Sequence, residues 1–273
     1  MTSIPPRDSS RSASPTFTAV VTGAGSGVGE AVARALAQHG HRVALVGRRR
    51  ERLEQVARAI ADAGGTAAAF PCDVTDVAAV AALAAAVTAR FGAPQIVFNG
   101  AGVFGECVTI AESSPALWLD TLRSNTHGPY LVCRAFMADM MRAKWGRIIN
   151  VSSAAALSPV YHVASAYQLS KVALNHFTRQ LASEFAGTGV TANVLHPGEV
   201  KTEMFAAIKT DAASRTGAGR DMLKWVEKVE RTGGDPAEKT ADLVLDLLRP
   251  ENDGVTGRFL WIKDGLKPPM PSW

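Results

Sequence analysis

The chain has 273 residues, of which 47% are hydrophobic and 20% charged, ordinary values for a globular protein with room for one large core. Its 29 Lys and Arg against 25 Asp and Glu leave a formal charge of only +4, and no aromatic–basic interleaving marks a nucleic-acid face. Three distant cysteines without a C-x-x-C, and six histidines without an H-x-x-x-H, predict no disulfide framework and no catalytic metal, and fit a reducing cytoplasm.

Residues 1–16 (MTSIPPRDSSRSASPT) lack the apolar stretch of a signal peptide and are expected to form a flexible tail. No later segment is long and apolar enough to predict a membrane span. From residue 17 short apolar runs alternate with helical patterns. FTAVVTG (17–23) reads as a buried strand entering a glycine turn, and 28–38 as an alanine-rich helix stopped by Gly40. Strands follow at 41–47, 66–73 and 95–102, separated by helices at 49–63 and 76–91 that end on glycine. Further on, 114–144 and 164–187 read as helical, and GRIINVSS (146–153) and VTANVLHPG (190–198) as strands. Residues 199–235 break the rhythm, before a last helix at 236–248, a last strand at 257–262 and a proline-rich end. Strands this apolar, each followed by a helix, predict a Rossmann-like, doubly wound parallel sheet of about seven strands with helices on both faces. No repeat or linker divides residues 17–273, so one domain is expected.

The first strand runs into Gly23-Ala24-Gly25-Ser26-Gly27-Val28-Gly29 and then a helix. Glycines there let the backbone approach a pyrophosphate, and the helix start offers free N–H groups and a positive dipole end. No Lys-Ser/Thr follows, so this is not a P-loop. At the end of the second strand, where a carboxylate would bond the ribose 2′-hydroxyl of NAD, the chain has Gly47, Arg48 and Arg49. Guanidinium groups suit a 2′-phosphate, so NADP is the expected cofactor, with NAD as the alternative.

These residues resemble the short-chain dehydrogenases/reductases in their short single-domain form, from about residue 17 to 262. The markers are TGAGSGVG (22–29), CDVTD (72–76), NGAG (99–102), Asn125, Ser152-Ser153, YQLSK (167–171) and HPGEVKT (196–202), in the family's order. The resemblance implies that Gly23, Ser26, Gly27, Val28 and Gly29 cradle the cofactor phosphates. It implies that Asp73 accepts from the adenine amino group beside Val74, and that Asn99, Ala101 and Gly102 line the adenosine ribose. Pro197 and Gly198 would turn the chain next to the nicotinamide, with Val200 and Thr202 holding its carboxamide. The chain departs from the family at Gly100, often a second Asn, and at Ser26, where NADP-using relatives often carry a basic residue.

Hydride transfer between a nicotinamide and a carbonyl or alcohol needs a proton delivered or removed. Tyr167 is the expected acid/base, although an unperturbed phenol has a pKa of about 10. Lys171 stands four residues on, on the same helix face, where its charge would favour the tyrosinate. Leu169, Ala173, Phe177 and Leu181 lie away from that pair and are expected to face the sheet. Ser153 is the candidate donor to the substrate oxygen, with Ser152 as the fallback. The resemblance gives Asn125 the holding of a water in a relay from Lys171, beside a plainer role bonding backbone in a distorted helix.

Residues 199–235, with Met204, Phe205, Ile208, Met222, Leu223, Trp225 and Val226 among many charges, are expected to form a substrate lid or an oligomer contact. Phe104, Glu106, Val160, Tyr161 and His162 follow strand ends, where ligands of parallel sheets bind. His162 is most simply a loop histidine. An apolar carbonyl or alcohol is the expected substrate. A cofactor-binding sensor is a competing reading, opposed by the complete set Asn125, Ser153, Tyr167 and Lys171. A serine hydrolase lacks its G-x-S-x-G elbow. By resemblance the protein is expected to be a homotetramer or homodimer built on the helices at 114–144 and 164–187.

Overall fold

The computed structural model describes residues 15–157 and 161–266; the expected tail therefore lies outside them apart from residues 15 and 16, as does Val160. Seven strands form one sheet: β1 (Thr18–Thr22), β2 (Arg42–Gly47), β3 (Thr66–Pro71), β4 (Ile96–Asn99), β5 (Gly146–Val151), β6 (Val190–His196) and β7 (Phe259–Trp261). All neighbours are parallel, in the order β3-β2-β1-β4-β5-β6-β7. The order reverses between β1 and β4, where Thr22 lies opposite Asn99 and a crevice must open beyond the carboxyl ends.

The strands are apolar throughout because both faces are covered. One face carries Val21, Leu45, Phe98 and Ile149 against α1 (Gly27–Gln38), α2 (Arg50–Asp62) and α9 (Glu238–Leu247). The alternate residues Val20, Val46, Val97 and Ile148 meet α3 (Val77–Phe91), α5 (Gly128–Ala143) and α6 (Ser165–Glu184). This two-residue alternation across two buried layers is what a crossover-connected sheet requires. Local signals set the ends: Asp76 caps α3 by accepting from the Ala79 N–H at 2.9 Å, and Gly92 closes it at φ +84°.

Three segments differ from the sequence reading. The helical stretch 114–144 divides into α4 (Pro115–Leu122), a wide π turn at Arg123–His127, and α5. The irregular stretch 199–235 folds as a pair of helices, α7 (Glu203–Ser214) and α8 (Gly217–Thr232), with its own small core of Phe205, Ile208, Ala212, Val226 and Val229. On α6, Leu181 is buried but Leu169 is 47% exposed. The inward face of α6 is polar instead: Ser170, Lys171, Asn175 and Thr178 are buried, and they bond to the sheet and to neighbouring turns. Among the described residues no helix is long and apolar enough to cross a membrane.

Candidate active site

A cleft of about 910 Å³ runs along the carboxyl ends of the strands. Its floor begins at the glycine turn. Gly23 has φ +69°, and a Cβ there would sit 2.8 Å from the carbonyl carbon of Gly100. A Cβ on Gly29 would overlap the Gly23 carbonyl oxygen. Strand, turn and helix can approach this closely only without side chains. Ser26 opens α1 in extended geometry but makes no side-chain cap, so the first-turn N–H groups of α1 are not taken up by its hydroxyl. The cradle fits a pyrophosphate.

Every residue expected to touch cofactor lines this cleft except Asn99. Asn99 is buried at the end of β4, and its amide donates to Asn150 Oδ1 at 2.8 Å, stitching β4 to β5. Gly100 takes its place in the wall. Asp73 Oδ1 accepts from the Thr75 N–H at 2.9 Å and the Thr75 hydroxyl at 2.8 Å. Chiefly the first of these holds the Asp73 carboxyl below its ordinary range, and the charge of Arg48 contributes less.

The two arginines expected at the ribose differ. Arg48 is exposed in the cleft wall and makes no ion pair among the described residues. Arg49 is committed: its Nη2 and Nη1 donate to Glu203 at 2.6 and 3.1 Å. Glu203 belongs to α7, across the cleft, and was not foreseen from the sequence.

At the Tyr167 end of the cleft Lys171 and Asn125 are buried and Tyr167 is half-buried. Lys171 is 5% exposed; its Nζ donates to the Val151 carbonyl at 2.8 Å and lies 5.6 Å from the centre of the Tyr167 ring. Burial pulls the Lys171 amine down to about 8. Burial pushes the Tyr167 phenol up, and a hydrogen bond from Ser153 opposes that. For the polypeptide by itself, where a phenol acidified by its lysine is expected, the phenol is raised instead, because desolvation is the largest effect on it.

Ser153 sits at the end of β5, where it starts a short 3₁₀ turn and accepts from the Ala155 N–H at 3.1 Å. The Ser152 hydroxyl is turned inward onto Asn175 Oδ1. Of the two, Ser153 is the one that meets Tyr167. Asn125 lies in the π turn, fully buried, and its amide grips the loop after β4: Oδ1 accepts from the Val103 N–H at 2.9 Å and Nδ2 donates to the Val103 carbonyl at 2.8 Å. A Cβ on Gly102 would stand 3.0 Å from Asn125 Oδ1 and 3.8 Å from Lys171 Nζ, so the three meet at one point.

Two supporting residues escaped the sequence reading. His196 accepts from the Ala154 N–H through Nδ1 at 3.3 Å, and burial lowers it to about 4, so a neutral ring steadies the Ser153 turn. Gln168, beside Tyr167, accepts from the Tyr161 N–H at 2.9 Å and donates to the Val163 carbonyl at 2.7 Å, pinning the loop over the tyrosine. Phe104 lies 4.8 Å from the Tyr167 ring, centre to centre. Tyr161, Met204, Phe205, Met222 and Trp225 complete a largely apolar wall. His162 and Glu106 lie outside it; Glu106 accepts from the Ser114 N–H at 3.0 Å.

The model of the family described as short chain dehydrogenase matches residues 17–213. The chain belongs to that family. It is 33% identical over 241 residues to a 3beta-hydroxysteroid dehydrogenase of Mediterraneibacter gnavus, covering 87% of this chain and 85% of that one. Among solved structures, a variant of actinorhodin polyketide ketoreductase with NADPH superposes at a TM-score of 0.82, with 32% identity, over 92% of this chain and 97% of that one. An NAD⁺-bound xylitol dehydrogenase superposes at 0.80, with 26% identity, over 90% of this chain and 97% of that one. Solved structures on this scaffold thus hold either dinucleotide.

Proposed function

We propose that this short-chain dehydrogenase transfers a hydride between NADP(H) and a mostly apolar carbonyl or secondary alcohol, with NAD(H) as the alternative cofactor and Tyr167 as the general acid/base. The observation that carries this reading is the meeting of Tyr167, Ser153 and Lys171 in one cleft with a phosphate-fitting glycine turn. When bound, the nicotinamide supplies or accepts the hydride. The chain does the rest. Pro197, Gly198, Val200 and Thr202 form the wall on which the ring would rest. The proton-bearing phenol is the form needed to protonate a carbonyl oxygen as it gains charge, and the Ser153 hydroxyl is placed to bond that same oxygen. Lys171 stands behind the phenol, poised near neutrality to replace its proton. In the relay we assign to Asn125, a water held at the π turn connects Lys171 to solvent.

Helices α7 and α8 serve as the substrate lid in this reading, supported by Met204, Phe205, Met222 and Trp225, which line the same cleft as Tyr167. Exposed Leu117, Leu119, Tyr130, Leu169 and Val172 on α4, α5 and α6 support the expectation of a homodimer or homotetramer.

The test is NADPH and NADH oxidation across ketones, aldehydes and quinones with the wild type and Tyr167→Phe. The variant should lose at least about 100-fold in kcat while binding cofactor within a factor of two. An undiminished kcat would remove Tyr167 from the chemistry.

A further inference from the structure

The cleft has a carboxylate where a phosphate-binding enzyme would be expected to have none. Glu203 is the first residue of α7, on the wall opposite the end of β2. Its two oxygens take both terminal nitrogens of Arg49, at 2.6 and 3.1 Å. Arg52 Nη2 lies 3.9 Å from Oε1, and the Ser26 hydroxyl of the glycine turn lies 3.4 Å from Oε2. The preceding residue closes the same gap: a Cβ on Gly27 would stand 2.9 Å from Thr202 Cγ2. One acidic side chain thus ties the lid to both the glycine turn and the arginines at the adenosine end.

We propose that Glu203 is a specificity-determining residue that acts on cofactor choice from across the cleft, by occupying Arg49 and leaving Arg48 to read the 2′-phosphate. The proposal rests on the NADP reading of that end. Bidentate pairing uses the two terminal guanidinium nitrogens, which are also the ones a phosphate would take. The ion pair is half in solvent, with both side chains about 50% exposed (53% for Arg49, 49% for Glu203), so an entering dianion can compete for it. The Arg49 hydrogen bonds, more than its charge, keep the Glu203 carboxyl below its ordinary range, so it is anionic at neutral pH. NAD(H) has no group that must displace the carboxylate from Arg49. NADP(H) meets one fixed negative charge beside three guanidinium groups. Glu203 therefore tempers a preference that Arg48, Arg49 and Arg52 would otherwise make steep, and lets the second cofactor compete.

The proposal is tested by measuring dissociation constants for NADPH and NADH, through quenching of tryptophan fluorescence, in the wild type, Glu203→Gln, Arg49→Gln and the double variant. Glu203→Gln should tighten NADPH about fivefold and NADH less than twofold. In the Arg49→Gln background the same change should have at most about half that effect. Equal tightening of both cofactors, no tightening of NADPH, or an undiminished effect without Arg49 would overturn the proposal. Hydrogen exchange without cofactor gives a second readout: the first-turn amides of α7 should exchange faster in Glu203→Gln, and unchanged exchange would sink the tie between lid and arginines. If Arg48→Gln leaves wild-type NADPH affinity untouched, the NADP reading fails by itself; a selective effect of Glu203→Gln would still stand.

Discussion

The two ends of the cleft are built from opposite materials. At the proposed adenosine end, Arg48, Arg49, Arg52 and Glu203 are exposed and arranged around solvent. At the proposed catalytic end, Lys171 and Asn125 are buried and Tyr167 is half-buried, and desolvation drives the two titratable groups toward their neutral forms. Charge in water can recognise an ion but is weak and screened; a dry site can shift protons but costs stability to assemble. The difference therefore predicts that salt governs one end and pH the other.

The largest expected effect breaks the catalytic end. Lys171 has a pKa of about 8 in the fold, against 10.5 as a free side chain. The unfolded chain keeps that proton up to the higher value, while the folded protein sheds it near the lower one. Stability should therefore rise as pH increases from about 8 to 10.5, by up to roughly 3 kcal/mol from this residue. Tyr167, with its raised pKa, has the opposite sign above about pH 10. The clean window is pH 7 to 10, and the readout is the difference between urea unfolding of the wild type and of Lys171→Met. Loss of the bond to Val151 adds a constant offset; only the slope reports the buried amine. Parallel curves would mean that the lysine is not desolvated.

A smaller effect tests the cradle shared by both ends. In Gly29→Ala the new Cβ meets the backbone of Gly23, which has nowhere to retreat because it already lies against Gly100. The cost should be about 1–3 kcal/mol of stability, with weaker binding of NADPH and NADH alike. Gly254→Ala, where a Cβ would touch nothing within 4 Å, should leave both unchanged. If Gly29→Ala were equally silent, the close approach of turn and helix would not be needed.

What the sequence disclosed follows the same division. The sheet was legible because strands covered on both faces must be apolar throughout, and the glycine turn because close backbone approach leaves no other residue. The helical period of 114–144 gave no sign of the π turn at Arg123–His127, since one extra residue hardly disturbs it; only the expectation of a helix-distorting Asn125 that bonds backbone pointed there. The inward face of α6 was misassigned at Leu169 because its core is a hydrogen-bonded network, Asn150 to Thr178 and Ser152 to Asn175, which a search for apolar residues passes over. Arg49 and Glu203 are 154 residues apart, and nothing local to either announces the other. Motif spacing pointed to Ser153, Tyr167 and Lys171, which the fold brings into one cleft, but their proton affinities depend on how much water the fold removes, which spacing does not encode.

The smallest effect sharpens the comparison most directly. Arg48 makes no ion pair among the described residues, so removing it should cost little stability and act mainly on the cofactor. Arg48→Gln should lower the ratio of NADPH to NADH affinity about tenfold at low ionic strength, the scale of one charge-assisted contact. Raising salt should compress the wild-type ratio, because exposed charges are screened over about 8 Å at physiological ionic strength. The variant's ratio should change less, since one of the screened charges is gone. At saturating cofactor, kcat should follow salt far less than the affinity ratio in either protein, because Lys171 is buried and Tyr167 half-buried. A kcat that fell with salt in step with the affinity ratio would show that the two ends share one field, and the division between a wet recognition half and a desolvated chemical half would have to be abandoned.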